Sequence, residues 1–276
     1  DPERVVLREE ARAAFTHAWD SYMAHAFPMD SLRPLSCGGQ NDFGGISLTA
    51  IDALGTLAVM GNKTEFAAAV SRLENATFDV DARVSVFEVT IRALGGLLSA
   101  HALVGSAASR GYDIVPGYGG HLLALASDLG SRLLPAFATP TGIPLAWVNL
   151  RSGVVRGDTR ATCTAGAGTL LLEFELLGRL SGDGRFASAA RGAAAALFSR
   201  RSRLGLPGNT IDAHTGAWLT RTSGIGAGVD SYYEYLLKAY LLYGSEDDLT
   251  MFNVTYRAAM RHMSSAQAAG GPGGGG

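Results

Sequence analysis

The sequence is short of charge, of cysteine and of long uninterrupted apolar runs, and each shortage excludes a class of protein. Only 17% of the 276 residues are charged and the formal net charge is −2, so the chain lacks the basic surface that binds nucleic acid or anionic membranes. No uninterrupted apolar run reaches the ~18–20 residues of a transmembrane helix. The charged N-terminus D-P-E-R-V-V-L-R-E-E does not resemble a signal peptide, so we expect that a signal has been removed or that the chain begins inside a longer precursor.

Two cysteines, Cys37 and Cys163, specify no disulfide framework. They are either small core residues, or they pair with each other or with a partner protein such as a thiol-disulfide oxidoreductase. Asn62, Asn75 and Asn253 each begin an N-x-S/T sequon and are glycosylation candidates. We expect all three at or near helix ends, which favours the secretory pathway.

Strand alternation and the common catalytic motifs are nearly absent. No HExxH, CxxC, P-loop or GxSxG motif occurs, so zinc, nucleotide and serine-hydrolase chemistries lack support. The apolar fraction of 47% predicts a large core. Helical periodicity, with apolar helices alternating with half-polar ones, predicts an all-α fold and an α/α toroid. The predicted helices are 4–26, 47–61, 64–75, 84–106, 118–136, 165–182, 184–201, 229–243 and 246–263.

Between the helices, we predict long loops at 27–46 and 139–163, a common place for binding residues. A short β excursion is predicted at 207–222. Residues 1–263 are predicted to form one domain, and the glycine-rich residues 264–276 a disordered tail.

The segment V-S-V-F-E-V-T-I-R-A-L-G-G-L-L-S-A-H places a carboxylate in an apolar helix, where it is costly. At 100° per residue, Glu88, Arg92, Gly95 and Ser99 form one stripe. An acid, a base one turn on and two small residues suit the wall of a cavity. The alternative is a buried structural Glu–Arg pair.

The segment G-I-G-A-G-V-D-S-Y-Y-E-Y-L-L-K places Asp230 and Glu234 on one face of a second helix. The start of a helix favours an anion, so Asp230 is either an N-cap residue or part of a site. Because sugars stack on aromatic rings, the flanking tyrosines suggest a carbohydrate subsite. Asp52 lies on a polar stripe of an apolar helix. His214 lies in the predicted β excursion, and a single histidine is more often structural.

These segments carry a resemblance that runs in order from residue 4 to about 263. The sequence resembles glycoside hydrolase family 47, the class I α-1,2-mannosidases, and within it the ER degradation-enhancing α-mannosidase-like group. The matching motifs are A-F-T-H-A-W-D-S-Y (14–22), A-F-P-M-D-S-L-R-P-L-S-C (26–37), S-L-T-A-I-D-A-L-G-T-L (47–57), V-S-V-F-E-V-T-I-R-A-L-G-G-L-L-S-A-H (84–101), L-L-P-A-F-A-T-P-T-G-I-P (133–144), T-C-T-A-G-A-G-T-L-L-L-E-F (162–174), N-T-I-D-A-H-T-G (209–216) and G-I-G-A-G-V-D-S-Y-Y-E-Y-L-L-K (224–238).

The resemblance implies an (α/α)₇ barrel, a bound Ca²⁺ and inverting hydrolysis of α-1,2-linked mannose on high-mannose N-glycans. It implies that Glu88 is the catalytic acid and Asp230 a further catalytic carboxylate. Arg92 is expected to contact the sugar, and we assign Asp52, Glu234 and His214 to substrate binding as well. It also implies a place in the endoplasmic reticulum, in the degradation of misfolded glycoproteins.

The sequence departs from the family pattern at several points. The R-P-E-x-x-E-S motif of the catalytic base and the calcium-binding threonine segment do not occur, and about nine helices are predicted where the full barrel has fourteen. Gly228 and Gly166 stand where trimming mannosidases carry an Arg and a Glu, Gly55 replaces an Asp, and Ser31 replaces a Glu. We therefore expect an incomplete N-terminal portion of the barrel, with little or no activity alone. The alternatives are a lectin-like glycan-binding protein and a truncated product without a stable function.

Overall fold

A computed structural model describes residues 1–264, which are mostly helical. The helices are α1 (Pro2–His25), α2 (Leu48–Asp52), α3 (Leu54–Val59), α4 (Lys63–Arg72), α5 (Val86–Glu88), α6 (Gly95–Ser109), α7 (His121–Leu133), α8 (Thr164–Gly168), α9 (Leu171–Ser181), α10 (Gly184–Ser199), α11 (Asp230–Tyr243) and α12 (Glu246–Met263). A π-helical segment, Val89–Leu94, joins α5 to α6, and a 3₁₀ turn, Leu134–Phe137, follows α7.

Each strand is short, with three residues. They are β1 (Ser31–Arg33), β2 (Gly38–Gln40), β3 (Arg83–Ser85), β4 (Trp147–Asn149), β5 (Ala161–Cys163), β6 (Thr210–Asp212) and β7 (Trp218–Thr220). An antiparallel hairpin joins β1 to β2, with Ser31 opposite Gln40. A second antiparallel sheet has the order β5-β6-β7, with Ala161 opposite Asp212 and Thr210 opposite Thr220.

The chain divides into two compact units. Unit 1 comprises Asp1–Val84, Glu88–Arg132 and Asn149–Gly153, and unit 2 comprises Ser85–Phe87, Leu133–Val148 and the chain from Val154 onward. The predicted single domain 1–263 stays a prediction. The predicted tail lies outside the described residues, apart from Ser264.

Each predicted helix is found, but three are interrupted. Helix 47–61 divides at Ala53, helix 84–106 starts as β3 and contains the π segment, and helix 165–182 divides at Thr169–Leu170. The sequence pattern reports which positions are apolar, and it does not report whether backbone hydrogen bonds keep the i→i−4 spacing. The β excursion at 207–222 is confirmed by β6 and β7, whereas the β1–β2 hairpin inside the predicted loop 27–46 was not predicted.

The core of unit 1 forms where α6 packs closely on α2. A Cβ at Gly96 would lie 2.5 Å from the carbonyl oxygen of Ile51, so only glycine allows this approach. The apolar side chains around the contact are fully buried and hold the two helices together: Leu48, Ile51, Leu54, Leu94 and Leu97. This packing places the C-terminal end of α2 beside the start of α6.

The core of unit 2 gathers around α8–α11. The ring of Phe174 lies 5.2 Å from that of Phe137 and 6.2 Å from that of Phe186. A Cβ at Gly168 would lie 2.4 Å from the ring of Tyr232, so this glycine admits the tyrosine beneath α8. The first turn of α11 is thereby fixed on the core.

The continuous helical stretch Val86–Ser109 is long and apolar enough to cross a membrane by length and composition, with a mean hydropathy of 1.3. The sequence analysis looked for apolar runs without a charged residue, and it did not count this stretch because Glu88 and Arg92 lie within it. Leu94, Leu97 and Leu98 are buried within unit 1, as in the core helix of a globular domain. We therefore assign it to the core.

Candidate active site

Glu88 ends α5 and directly precedes the π-helical segment of unit 1. It is half-buried, and Val89 and Thr90 after it are buried. A π turn accommodates an extra residue and recurs at functional sites. The side chains after Glu88 therefore leave the 100° spacing that the sequence analysis assumed. The four residues of the predicted stripe nevertheless all reach the surface, being half-buried or exposed: Glu88, Arg92, Gly95 and Ser99.

Arg92 lies inside the π segment and pairs with Asp52 of α2. Its Nε is 2.8 Å from Asp52 Oδ2, and the two side chains are 33% and 41% exposed. The structure thus brings together two of the predicted substrate-binding residues. Since the pair is partly open to solvent, its contribution to stability is small. Its main effect is to fix the direction of the guanidinium group.

A further residue, Phe43, was missed by the sequence analysis. The Arg92 guanidinium lies 5.4 Å from the centre of the Phe43 ring, a cation–π contact. The loop that carries Phe43 is fastened by Asp30, which is fully buried. Asp30 Oδ2 accepts hydrogen bonds from the backbone N–H groups of Phe43 and Gly45, both at 2.8 Å. The only sequence signal for Asp30 was its place in the motif A-F-P-M-D-S-L.

In unit 2, Asp230 is the first residue of α11, and its Oδ1 accepts a hydrogen bond from the backbone N–H of Ser231 at 2.9 Å. The alternative that Asp230 is the N-cap is wrong, because the cap position belongs to Val229. Asp230 is exposed. An exposed carboxylate at a helix start is favoured by the helix dipole and remains available to a ligand.

Glu234 lies one turn after Asp230 and pairs with Lys238 at 2.5 Å, and both side chains of the pair are about half exposed. Of the flanking tyrosines, Tyr233 is half-buried and its hydroxyl donates to the Gly224 carbonyl at 3.2 Å, so the predicted stacking surface stays a prediction. Two others are taken up by the core. Tyr232 is fully buried, and the Tyr235 hydroxyl donates to Glu173 at 2.9 Å. These tyrosines anchor α11 to the core because their rings fill it.

His214 lies in the turn between β6 and β7, and it is half-buried. Its backbone N–H donates to Asp212 Oδ1 at 2.8 Å, as does that of Thr215. These backbone hydrogen bonds, that of Thr215 first, hold the pKa of the Asp212 carboxyl below its usual value. The turn is therefore built by Asp212, and the role of the His214 side chain stays a prediction.

The comparisons with known proteins agree with one another. The model of glycosyl hydrolase family 47 matches residues 14–271. The chain belongs to glycosyl hydrolase family 47. Alpha-mannosidase I MNS4 of Arabidopsis thaliana is 50% identical over 258 residues, which cover 93% of this chain and 41% of that protein. ER degradation-enhancing alpha-mannosidase-like protein 2 of Mus musculus is 48% identical over 264 residues, which cover 95% and 45%.

Among solved structures, the chain is similar to the alpha-1,2-mannosidase from Trichoderma reesei. The TM-score is 0.85 at 28% identity, over 95% of this chain and 55% of that one. The chain thus shares the helical fold of a family 47 mannosidase and corresponds to about half of it. It spans less than half the length of the curated relatives it matches.

Two of the three glycines that depart from the family pattern, Gly166 and Gly228, are built into the local backbone. Gly228 has a φ of +90°, and a Cβ there would lie 2.5 Å from Asn209 Nδ2. A Cβ at Gly166 would lie 3.1 Å from Cys163 Sγ, which accepts a hydrogen bond from the Gly166 N–H at 3.2 Å. An arginine at Gly228 would therefore require Asn209 and the backbone to move. Neither Cys163 nor Cys37 is in a disulfide.

The calcium ion that the family implies has no cluster of acidic or histidine side chains to bind it among the described residues. Within residues 1–264, no three His, Cys, Asp or Glu side chains group as a metal site would require. Calcium takes six to eight oxygen ligands. No step of the chemistry proposed below is therefore routed through a metal held by these residues.

The glycosylation candidates differ in accessibility. Asn75 is exposed after α4, whereas Asn62 is the N-cap of α4 and accepts a hydrogen bond from the Glu65 N–H at 3.2 Å. The expectation that all three lie near helix ends is wrong for Asn253, which is inside α12. The helix predicted at 246–263 has the same bounds as α12, so its own limits already placed Asn253 in the interior.

Proposed function

We propose that this chain is part of an α-1,2-mannosidase that removes mannose from the high-mannose N-glycans of misfolded glycoproteins. The observation that carries the proposal is the arrangement around Glu88. A half-buried carboxylate directly precedes a π turn, and within that turn Arg92 is fixed by Asp52 and Phe43. Family membership supports the reaction class, and the relatives' names support the substrate and the pathway.

In the proposed reaction, Glu88 is the general acid. It gives its proton to the glycosidic oxygen as the bond from that oxygen to the anomeric carbon breaks. A water molecule attacks the anomeric carbon from the opposite face and loses a proton to a carboxylate base, so the configuration inverts. Arg92 and Asp52 would hold sugar hydroxyls, because a guanidinium group donates and a carboxylate accepts hydrogen bonds.

Asp230 would be a further carboxylate of the reaction, and Glu234 and His214 would bind the sugar. The exposed position of Asp230 at the start of α11 supports a ligand-facing role. The motif R-P-E-x-x-E-S expected for the base does not occur in these 276 residues. We therefore propose that the chain alone has little or no hydrolytic activity, and that the base and the calcium ligands come from the remaining part of a family 47 domain.

The proposed setting is the quality control of glycoproteins in the endoplasmic reticulum. The support is the 48% identity to a protein named for enhancing degradation from this compartment. Cys37 is exposed, which is compatible with a thiol-disulfide oxidoreductase partner. That partner stays a prediction.

A second candidate function is glycan binding without hydrolysis. It is favoured by the missing base and calcium segments and by Gly228, which stands where the trimming enzymes are expected to carry a sugar-binding Arg. The Asp52–Arg92 pair would then serve binding only.

The test is calcium-dependent release of mannose from a high-mannose N-glycan by the chain and by a version extended with the C-terminal half of a relative's domain. We expect activity only in the extended form, and Glu88→Gln should lower it about 100-fold or more, as removal of a general acid does. The matched control is Glu10→Gln, an exposed glutamate of α1, which should change nothing. Release by the chain alone would refute the proposed inactivity, and binding without release in both forms would favour the second candidate.

A further inference from the structure

An arginine-lined cleft of about 590 Å³ lies in unit 2, where α10 and α12 end. Its charged lining consists of Arg201, Arg203, Arg257 and Arg261. Among the described residues that line it, none is an Asp or Glu, and its hydroxyl groups are those of Ser199 and Ser202. No residue that we propose for hydrolysis takes part in this lining.

Two of the arginines project from one face of α12. Arg257 and Arg261 are one helical turn apart and are both exposed. Side chains four residues apart lie side by side on a helix, and like charges at this spacing repel each other. The two cations are therefore held together by the helix backbone at a cost to stability.

The opposite wall of the cleft is a tight turn that packs on α12. The Ser202 N–H donates to the Leu206 carbonyl at 2.8 Å, and the Gly205 N–H donates to the Ser202 carbonyl at 2.9 Å. Gly205 has a φ of +84°, and a Cβ there would lie 3.1 Å from the Cβ of Ala258. This close approach fixes the turn, and with it the backbone of Arg203, beside Arg257 and Arg261.

The Arg201 side chain is held by Phe198, near the C-terminal end of α10. Its guanidinium lies 3.8 Å from the centre of the Phe198 ring, and its Nη1 donates to the Phe198 carbonyl at 2.7 Å. Cations at helix C-termini are stabilised by the helix dipole, which accounts for Arg201 and Arg261. It does not account for Arg203, which lies outside the helices, or for Arg257, which lies more than one turn before the end of α12.

We propose that this cleft binds a phosphate group, either as a free anion or as an ester on a sugar. Guanidinium groups are planar forks that match phosphate oxygens with paired hydrogen bonds, and a doubly charged anion would relieve the repulsion among the four arginines. The Ser202 hydroxyl adds a donor on the same side. The inference does not depend on the proposed hydrolytic function.

The test is calorimetric titration of the 276-residue chain with inorganic phosphate and with glucose 6-phosphate. Glucose and sodium chloride at equal ionic strength are the blanks. We expect both phosphates to bind, and the double variant Arg257→Gln/Arg261→Gln to bind at least tenfold more weakly, because two charge-assisted contacts are lost. The matched control Arg156→Gln/Arg221→Gln removes the same charge from exposed positions of unit 2 outside the cleft and should leave the affinity unchanged.

The remaining outcomes are equally decisive. Equal affinity for the two probes would identify the phosphate group alone as the ligand, and tighter binding of glucose 6-phosphate would identify the ester. The proposal is overturned if neither probe binds with a Kd below about 10 mM, if sodium chloride competes as well as phosphate, or if the two double variants bind alike. Arg203→Gln, in the exposed turn, provides the same comparison if the α12 variant loses its circular dichroism.

Discussion

Two glutamates of α9, Glu173 and Glu175, are both buried but are stabilised in opposite ways. Glu175 accepts hydrogen bonds from Arg179 Nε and Arg191 Nε, both at 2.9 Å. Glu173 accepts one, from the Tyr235 hydroxyl, and its Oε2 is buried without a partner. The two residues are thus both little exposed, but the Glu173 carboxyl lies deeper in the protein and the two have very different neighbours.

Their protonation follows both the depth of burial and the neighbours. Burial raises the pKa of Glu173 to about 7, and a backbone hydrogen bond, the Tyr235 hydrogen bond and the charge of Lys238 oppose this rise only in part. Burial also acts to raise the pKa of Glu175, but the hydrogen bonds from Arg191 and Arg179 outweigh it and hold the pKa below its usual value. The comparison teaches that a buried carboxylate keeps its charge where cations and hydrogen-bond donors together compensate for the lost water.

The largest expected effect comes from removing the cation that serves Glu175. Arg191 also reaches Asp248 Oδ2 at 3.3 Å, and Asp248 is 2% exposed. Arg191→Met would leave two buried carboxylates without this partner, and breaking such pairs costs about 3 kcal/mol. Urea denaturation at pH 7 should show this loss of stability. The control is Arg185→Met, because Arg185 and its partner Asp183 both reach solvent. A similar loss of stability in the control would contradict the argument.

The next effect concerns Glu173 and depends on pH. Its folded pKa of about 7 lies above the ordinary value of 4.5, so the folded state binds the proton more tightly than the unfolded state. Glu173 therefore contributes stability below about pH 4.5 that is lost as the pH rises through about 7, in total about 3 kcal/mol. Glu173→Gln keeps an acceptor for Tyr235 and should be more stable than the parent at pH 8, with the gain shrinking towards pH 5.

Chemical denaturation of both proteins at pH 5, 6, 7 and 8 measures this difference. Glu175→Gln is the matched control. Because the pKa of Glu175 lies below its ordinary value of 4.5, its contribution to stability is lost only as the pH falls below that value. The effect of Glu175→Gln should therefore be nearly constant from pH 5 to pH 8. Parallel trends in the two variants would contradict the contrast between the two sites.

The run L-L-L-E-F-E-L-L shows how far sequence reasoning could reach. At 100° per residue the two glutamates point to opposite faces of α9, so their separation was predictable from the sequence. Arg179 was also predictable, one turn after Glu175 in the same helix. Tyr235 and Arg191 were not, because they come from other helices, 62 residues beyond Glu173 and 16 beyond Glu175. Likewise, the family motifs identified Glu88, Arg92 and Asp52, while the π turn and the contact of Arg92 with Phe43 depend on backbone bonding and loop placement that no periodicity encodes.

The smallest expected effect comes from the hydroxyl that links Glu173 to α11, the helix that begins with Asp230. Tyr235→Phe removes the hydrogen bond that lowers the pKa of Glu173, at a cost of about 1 kcal/mol. The pKa of Glu173 should then rise further, so stability should go on falling to a higher pH than in the parent.

In a Glu173→Gln background the same substitution should lose its pH dependence, since no titrating group remains on the other side of the bond. A double-mutant cycle at pH 6 and pH 8 measures the coupling, and a coupling energy that is equal at both pH values would show that the hydroxyl stabilises α11 without regard to the charge on Glu173.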